Sequence, residues 1–222
     1  MSSNYISYQT EKHLLFTTCF NKNLSSQNIL SRILKEHNLD NKLLTSVDQI
    51  HSDKVLVIDK SGNHGEADGL ITSSKNNLIL LIKTADCVPV FIYDNSVGNY
   101  GVVHAGWKGV KQKIHLKAID KFIDLGSDIN NLNFVMGASI KSCCYEVGEE
   151  MIDYFGDSIK KNKGSLFLDL NQSISADLKN RGVEEDKIKI DNMCTYEHSS
   201  LHSYRRDKEK SGRMLSFIVI KK

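Results

Sequence analysis

A short apolar run at residues 78–82 constrains the fold more strongly than any other feature of this chain. Its five residues read LILLI, with no alternation between apolar and polar positions. Successive side chains of a strand point to opposite faces, so a strand that is apolar at every position must be covered on both. The sequence therefore predicts a strand inside a layered structure, with other elements packed on each side of its sheet.

Apolar runs and helical patterns alternate along the rest of the chain. Helices are predicted at residues 26–38, 110–125, 147–155 and 172–180, where apolar residues recur at helical spacing. Strands are predicted at residues 13–18, 54–59, 78–83, 88–93, 100–104, 132–136 and 214–220. No repeat or linker interrupts this pattern, so we expect residues 1–222 to form a single domain. The predicted fold class is α+β (mixed α/β), a layered sandwich of mixed β-sheets flanked by helices.

Charge and composition exclude several classes of function. The 222 residues include 29 basic and 27 acidic side chains, a net charge of +2, and no long run of one sign occurs. Nucleic acid is therefore not an expected partner. The sequence has no signal-peptide pattern and no membrane-spanning window, so we expect a soluble, cytoplasmic protein with no membrane partner. The five cysteines are irregularly spaced and are expected to be reduced thiols.

Three residues near the ends of predicted strands have the chemistry of a metal site. Cys87 lies at the junction of two apolar runs, His104 ends a third, and His51 lies between a polar turn and a strand. Taken singly, each is more often a core residue. Together, two imidazoles and one thiolate form a ligand set for zinc that leaves a fourth position open for catalysis. Their spacings of 36 and 17 residues are too long for a zinc finger.

Five blocks of the sequence resemble the bacterial YfiH-type proteins, also called the laccase-domain or polyphenol-oxidase family. In chain order they read ADGLITS, TADCVPVFIYD, VHAGWKG, CCYEVG and SYRRDKEKSGRM. The resemblance implies a YfiH-like fold, and it implies that His51, Cys87 and His104 bind zinc, with copper as the less favoured metal. It also implies a purine nucleoside phosphorylase, acting on adenosine, inosine, guanosine or methylthioadenosine, with adenosine deaminase activity.

Both of these reactions fit one open metal site. In deamination, zinc lowers the pKa of a bound water so that hydroxide attacks the purine ring. In phosphorolysis, the glycosidic bond breaks toward an oxocarbenium-like sugar while cationic groups hold the phosphate. The expected partners are therefore a purine nucleoside and phosphate, bound by a monomer or a homodimer.

Residues beside the predicted ligands are expected to assist them. Asp86 is predicted to be catalytic, as a proton carrier or as the partner that orients a metal-bound histidine; a structural hydrogen bond is the alternative. Arg205 and Arg206 are candidates for an anion clamp, because guanidinium groups bind phosphate through paired donors. Adjacent strand residues point opposite ways, so we expect Arg205 to reach the substrate while Arg206 pairs with Asp207 or solvent.

Two further residues are predicted to bind substrate. Trp107 is a candidate for stacking on a purine, and an anchor in the core or at the rim is the alternative. His202 lies next to the arginine block and is expected to line the pocket. Gly106 and Gly109, which flank Trp107, either allow close backbone approach or form an ordinary turn.

The remaining cysteines are interpreted as structural. Cys143 and Cys144 are adjacent, a spacing that suits neither an ordinary disulfide nor joint metal ligation, and Cys19 and Cys194 are expected in the core. The segment FTTCFNKNLSSQN departs from the family pattern, since it has Cys19 in place of an arginine and lacks a glycine-rich turn. Ser52 likewise replaces a glycine. These departures leave zinc ligation intact and bear on substrate preference.

Two other functions compete with phosphorolysis. A cysteine hydrolase would use Cys87 as nucleophile and His104 as base, acting on an amide or a cell-wall precursor. Bound zinc argues against it, because a metal-held thiolate is a poor free nucleophile. A copper polyphenol oxidase needs a dense array of histidines, whereas this chain has 8 histidines and no His-x-His pair. We expect that function least.

Overall fold

The computed structural model describes residues 5–19 and 25–221. The strands within these residues are, in chain order, β1 Tyr5–Gln9, β2 His13–Thr18, β3 Leu44–Asp48, β4 Val55–Val57, β5 Gly62–Glu66, β6 Gly69–Ser73, β7 Ile79–Thr84, β8 Val88–Asp94, β9 Asn99–Ala105, β10 Leu132–Met136, β11 Glu146–Val147, β12 Ile159–Asn162, β13 Ser165–Leu168, β14 Ile188–Ile190 and β15 Met214–Ile220. The α-helices are α1 Ser26–Glu36, α2 Trp107–Lys111, α3 Ile114–Asp124, α4 Ile152–Phe155, α5 Leu170–Asn180 and α6 Tyr204–Asp207.

The strands form two large sheets and one small one. The first sheet has the order β1-β2-β15-β7-β3-β5, the second β14-β10-β8-β9-β6-β4, and the third β11-β13-β12. In the first sheet β3 runs parallel to both β5 and β7, and in the second the pairs β10/β14 and β4/β6 are parallel. The other pairs in these sheets are antiparallel, so both large sheets are mixed. The predicted α+β class is confirmed.

The apolar run at 78–82 lies in β7, near the middle of the first sheet. Ile79 and Leu81 pack with the buried residues of α1, whereas Leu80 and Ile82 pack with residues of the second sheet such as Tyr100. A further apolar cluster joins the other face of the second sheet to α3 and α5. The layers therefore run α1, first sheet, second sheet, then α3 with α5. Both faces of β7 are covered, as its lack of alternation predicts.

The helix predicted at 110–125 is two helices in the structure. Lys113 has a left-handed backbone conformation, with φ +60°, and separates α2 from α3. The apolar pattern continues through the break because Val110 and Ile114 both face the second sheet. Periodicity alone therefore does not reveal the break. The first of the two helices, α2, begins at Trp107, and only Gly106 separates it from the end of β9.

The strand β5 lacks an apolar signal and is absent from the sequence prediction. Its sequence is GNHGE, and its residues are exposed or half-buried.

Two predicted elements have other bounds in the structure. The strand predicted at 54–59 is the shorter β4, and the helix predicted at 147–155 consists of a 3₁₀ turn followed by α4. None of the helices in the two described segments is long and apolar enough to cross a membrane.

Candidate metal centre and its cleft

Strand directions bring three distant segments to one edge of the two large sheets. Because β3 and β7 are parallel, the chain leaves both strands at the same edge, toward His51 after β3 and toward Cys87 after β7. In the second sheet β8 begins where β9 ends, with Pro89 paired to His104. The topology therefore gathers His51, Cys87 and His104, although 36 and 17 residues separate them in sequence.

The three side chains form a compact cluster. One ligand atom from each of His51, Cys87 and His104 lies within 4.8 Å of the others. The two imidazole rings are 4.8 Å apart between centroids and meet edge to face, at 78°. His104 is buried, Cys87 is partly buried and His51 is exposed, so the cluster opens to solvent on the His51 side.

Asp68 orients this cluster. It is a site residue that the sequence did not predict. Its carboxyl Oδ1 lies 2.8 Å from Nδ1 of His104, and the two side chains are 0% and 4% exposed. With Nδ1 engaged, Nε2 is the ring nitrogen left to face Cys87 or a metal ion. The carboxylate that contacts His104 in the structure is therefore that of Asp68, whereas Asp86 contacts Thr195 and Arg205. The sequence feature that points to Asp68 is its position in the ADGLITS block, directly before β6.

Asp68 also holds the loop that carries His51. Its carboxylate accepts hydrogen bonds from the amides of Ile50, His51 and Ser52, at 3.3, 3.1 and 2.6 Å, and from the Ser52 hydroxyl at 2.8 Å. His51 has φ +58°, a left-handed conformation that disfavours a non-glycine residue, and these hydrogen bonds stabilise it. Burial opposes ionisation of Asp68, but hydrogen bonds from His104 and Ser52 lower its pKa to about 2.

Gly106 packs directly against the cluster. A Cβ atom at this position would lie 2.9 Å from Cys87 Sγ and 3.2 Å from Cδ2 of His51, closer than ordinary van der Waals contact. Gly109 likewise faces the backbone oxygen of Ser52, at 3.1 Å from an added Cβ. Close approach, the first of the two interpretations of these glycines, is therefore the one that the structure favours.

Cys87 and His104 shift each other's protonation. Burial opposes ionisation of Cys87, yet hydrogen bonds with His104 and His51 outweigh it and lower the thiol pKa to about 6. Burial also opposes protonation of His104, but Asp68 and Cys87 raise its pKa to about 9. Without a metal ion, the favoured state near neutral pH is thus a thiolate beside an imidazolium. A thiolate is also the form that binds a metal ion.

Asp86 and Arg205 lie on the wall beside the cluster. Asp86, 9% exposed, accepts hydrogen bonds from the Thr195 hydroxyl at 2.6 Å and from the Arg205 amide at 2.7 Å. The Arg205 guanidinium donates to the Glu146 carbonyl at 2.7 Å and lies 5.0 Å from the centre of the Tyr145 ring. The premise that Arg205 lies in a strand is wrong, because both arginines belong to the short helix α6.

Arg206 points away from the cleft that Arg205 lines. It donates to both carboxyl oxygens of Asp207, at 2.9 and 2.8 Å, and to the backbone carbonyls of Thr195 and Leu201. Consecutive residues of a helix point about 100° apart, so the two arginines diverge in α6 as well, although by less than they would in a strand.

The cluster lies in a cleft of about 950 Å³. The lining residues are Val47, Asp48, Gln49, His51, Lys83, Ala85, Asp86, Cys87, His104, Ile140, Tyr145, Leu170, Tyr204, Arg205, Lys208, Glu209 and Arg213. Four of these side chains are cationic and three are acidic. The cleft therefore combines the His51, Cys87 and His104 cluster with side chains of both charges.

Two residues predicted to bind substrate lie elsewhere. Trp107 begins α2 and packs against the apolar cluster between the second sheet and the helices, and it does not line the cleft. His202 faces a separate surface depression with Arg206 and Lys208, and its ring packs close to Gly212. Position next to a motif in sequence therefore does not place a side chain in the cleft.

The segment that departs from the family pattern is described only in part. Cys19 is buried at the end of β2, whereas residues 20–24 lie outside the described residues. Ser52, the other departure, donates its hydroxyl to Asp68 at 2.8 Å.

The cluster fits a metal ion by its donor chemistry. Two imidazole nitrogens and one thiolate converge, one imidazole is fixed by a carboxylate, and the cleft lies on the remaining side. Zinc binds such a set with three protein ligands and an open fourth position. Fold and site together define a layered α+β protein with an open two-histidine, one-cysteine cluster in a charged cleft.

The chain belongs to the family described as multi-copper polyphenol oxidoreductase laccase, whose sequence model matches residues 22–221. It is 38% identical to a purine nucleoside phosphorylase of Aquifex aeolicus over 78% of this chain and 80% of the relative. It is 36% identical to a purine nucleoside phosphorylase of Clostridium acetobutylicum over 98% of this chain and 96% of the relative.

Solved structures show the same fold. The hypothetical protein YfiH of Bacillus licheniformis superimposes with a TM-score of 0.82 at 26% identity, covering 94% of this chain and 93% of that protein. YlmD from Geobacillus stearothermophilus gives a TM-score of 0.82 at 20% identity, covering 95% and 92%. The YfiH-type resemblance and the fold expected from it are confirmed.

Proposed function

We propose that this protein is a zinc-dependent purine nucleoside phosphorylase that also deaminates adenosine. One observation carries the proposal: His51, Cys87 and His104 converge in a cleft whose wall includes the cationic side chains of Arg205, Lys208 and Arg213. The relatives from Aquifex aeolicus and Clostridium acetobutylicum are named purine nucleoside phosphorylases, which supports the same assignment. The proposed substrates are adenosine, inosine, guanosine or methylthioadenosine, together with phosphate.

His51, Cys87 and His104 are the proposed zinc ligands. When bound there, zinc supplies a Lewis acid and lowers the pKa of coordinated water. Asp68 fixes the ring of His104 and the loop of His51, so the ligand geometry exists before substrate arrives. Two imidazoles and one thiolate also form the copper site of electron-transfer proteins, but the cleft beside this cluster provides the open position that a catalytic zinc site needs.

The cationic wall is the proposed phosphate site. Arg205 is held by the Glu146 carbonyl and by the Tyr145 ring, and Lys208 and Arg213 line the same cleft. In phosphorolysis, a phosphate oxygen forms a bond to the sugar C1′ while the bond from C1′ to the base breaks. The electron pair leaves with the purine, which takes up a proton, and ribose 1-phosphate is released. Fixed cations lower the barrier by holding phosphate in line.

Asp86 is proposed to act by positioning. Both of its carboxyl oxygens accept hydrogen bonds from the protein, one from Thr195 and one from the Arg205 amide. This arrangement favours a role in holding α6, and thereby Arg205, over the proton-carrier role considered from the sequence. In deamination, the same cleft would hold adenosine while water adds to the ring carbon and ammonia leaves.

Product analysis tests the proposal. The zinc-loaded protein is incubated with adenosine, with and without phosphate, beside Cys87→Ala and a matched Cys19→Ala control. We expect adenine and ribose 1-phosphate only with phosphate, and inosine in either buffer. Cys87→Ala should lose both activities and Cys19→Ala should keep them. Absence of product from every purine nucleoside, with zinc bound, contradicts the proposal.

A cysteine hydrolase is the second candidate, because Cys87 forms a pair with His104 of the kind used by cysteine nucleophiles. The effect of zinc distinguishes the two functions. Zinc should support phosphorolysis, whereas it should inhibit amide hydrolysis because it binds the thiolate that would act as nucleophile. Hydrolysis of an amide substrate that rises when zinc is removed would favour the hydrolase.

The family description names copper oxidase chemistry, which we do not propose. Multi-copper sites use many histidines, whereas the His, Cys and acidic clusters in the described part of the chain contain only His51 and His104. Oxidation of a polyphenol by the copper-loaded protein would instead favour the copper oxidase.

A further inference from the structure

A second cluster of metal-binding side chains lies outside the cleft wall. Sulfur atoms of Cys143, Cys144 and Cys194 and a carboxyl oxygen of Glu197 all lie within 4.8 Å of one another. None of the four residues lines the cleft. The adjacent positions of Cys143 and Cys144 predict no shared metal ion, and Cys194 is predicted to be a core residue. The sequence therefore does not predict this cluster. Cys194 is buried, but its sulfur faces the other two thiols.

Two loops form the cluster, and the backbone ties them together. Cys194 pairs with Ser139 in an isolated parallel bridge, and the Thr195 amide donates to the Ser139 carbonyl at 3.2 Å. The amides of Cys144 and Tyr145 both donate to the Lys141 carbonyl at 3.0 Å, which turns the first loop. The thiols are therefore held near one another by fixed backbone.

Hydrogen bonds favour a thiolate at Cys194, whereas burial raises the pKa of Cys143 and that of Cys144, so these two thiols would ionise on metal binding. The backbone amides of Lys141, Glu197 and Tyr196 donate hydrogen bonds to the sulfur of Cys194. Such bonds stabilise a thiolate and orient it as a ligand. Three thiolates and a carboxylate carry more negative charge than a divalent cation neutralises, and the half-buried ammonium of Lys141, which interacts with Cys194 and Cys143, offsets part of the excess.

We propose that Cys143, Cys144, Cys194 and Glu197 form a second metal site that binds one thiophilic divalent cation, with zinc as the favoured ion. Three sulfurs and one carboxyl oxygen complete a tetrahedral shell, the arrangement of a structural zinc site. Zinc–sulfur bonds of about 2.3 Å place ligand sulfurs roughly 3.8 Å apart. The sulfurs of Cys143 and Cys144 are 3.2 Å apart and must separate slightly, while the wider pairs must close. Binding releases the thiol protons to solvent.

The site would brace the wall of the cleft. Tyr145, which packs on Arg205, follows Cys144 directly. Thr195, which donates to Asp86, follows Cys194. A cation that joins the two loops therefore fixes the residues that position Arg205. A closed shell of four protein ligands gives this site a structural role, in contrast to the open cluster around Cys87.

Cadmium titration of the fully reduced protein tests the second site. Cadmium replaces zinc in thiolate sites, and each cadmium–thiolate bond absorbs in the ultraviolet. The intensity of this thiolate band is therefore proportional to the number of metal-bound sulfurs. The variants are Cys87→Ser, which removes the thiol of the cleft cluster, and Cys143→Ser, an exposed position that does not threaten folding. Cys194→Ser is the second variant of the new site. Cys19→Ser is the control, since Cys19 belongs to neither cluster.

The original protein should bind two cadmium ions, and so should Cys19→Ser. Cys87→Ser should keep roughly three quarters of the thiolate band, because three of four metal-bound sulfurs remain. Cys143→Ser and Cys194→Ser should each lose at least about one quarter of the band, and up to about three quarters where the weakened site releases its ion. A Cys87→Ser protein without a thiolate band, or a Cys143→Ser protein with the original band, overturns the proposal. No nucleoside is present, so this result does not depend on the proposed enzyme activity.

Discussion

At the scale of single residues, Asp68 connects two parts of the site that are far apart in sequence. It binds Nδ1 of His104 and three consecutive amides of the His51 loop. An asparagine has similar size but carries no charge, and its NH₂ group repels amide donors. Asp68→Asn should therefore lower zinc affinity by about 10- to 100-fold, the usual cost of losing a carboxylate behind a metal-bound histidine.

Competition with a chelating dye measures that affinity. Asp48→Asn is the matched control, because Asp48 lines the same cleft but does not contact His104. Equal affinity for zinc in Asp68→Asn and the original protein would contradict the orienting role of Asp68.

At the scale of elements, apolar runs predicted the buried strands β7, β8, β9, β10 and β15, together with α1 and α5. The same reasoning missed α6, because it is four residues long and its start depends on one hydrogen bond, from the Arg206 amide to the Ser203 hydroxyl at 3.2 Å. Periodicity also carries no information on the contact between Asp68 and His104. The three candidate ligands follow from their chemistry and the family blocks, whereas the contact between Asp68 and His104 depends on the sheet topology.

The cap of α6 gives a prediction on the phosphate site. Ser203→Ala removes the hydroxyl that accepts the Arg206 amide, a loss of about 1 kcal/mol for a helix cap. We expect α6 to loosen around Arg205, so that KM for phosphate rises by about fivefold while zinc stoichiometry stays the same. Steady-state kinetics at varied phosphate test this, with the exposed Ser199→Ala as control. An unchanged KM for phosphate would mean that α6 does not contribute to phosphate binding.

At the scale of the whole molecule, the packing of the two large sheets against each other buries a histidine. His13 in β2 is 0% exposed, and its ring lies 5.2 Å from that of Tyr93 and 5.3 Å from that of Tyr100, between centroids. Burial, with a smaller effect of the nearby Lys12 and Lys221, lowers the His13 pKa to about 4 from its usual 6.5. The folded protein therefore holds this imidazole neutral at a pH where the unfolded chain protonates it.

The direction of the resulting pH dependence follows from that difference. Well above pH 6.5 neither the folded nor the unfolded state binds the proton, and the stability from neutral His13 is fully present. As pH falls toward 4, protonation favours the unfolded chain, with a loss of about 2 kcal/mol at pH 5. His13→Phe keeps an aromatic ring and does not titrate, so its unfolding free energy should fall less between pH 7.5 and 5. Urea unfolding of both proteins at the two pH values measures the difference. Titration of the other histidines is common to both proteins and cancels, so identical pH dependence would mean that His13 is protonated in the fold.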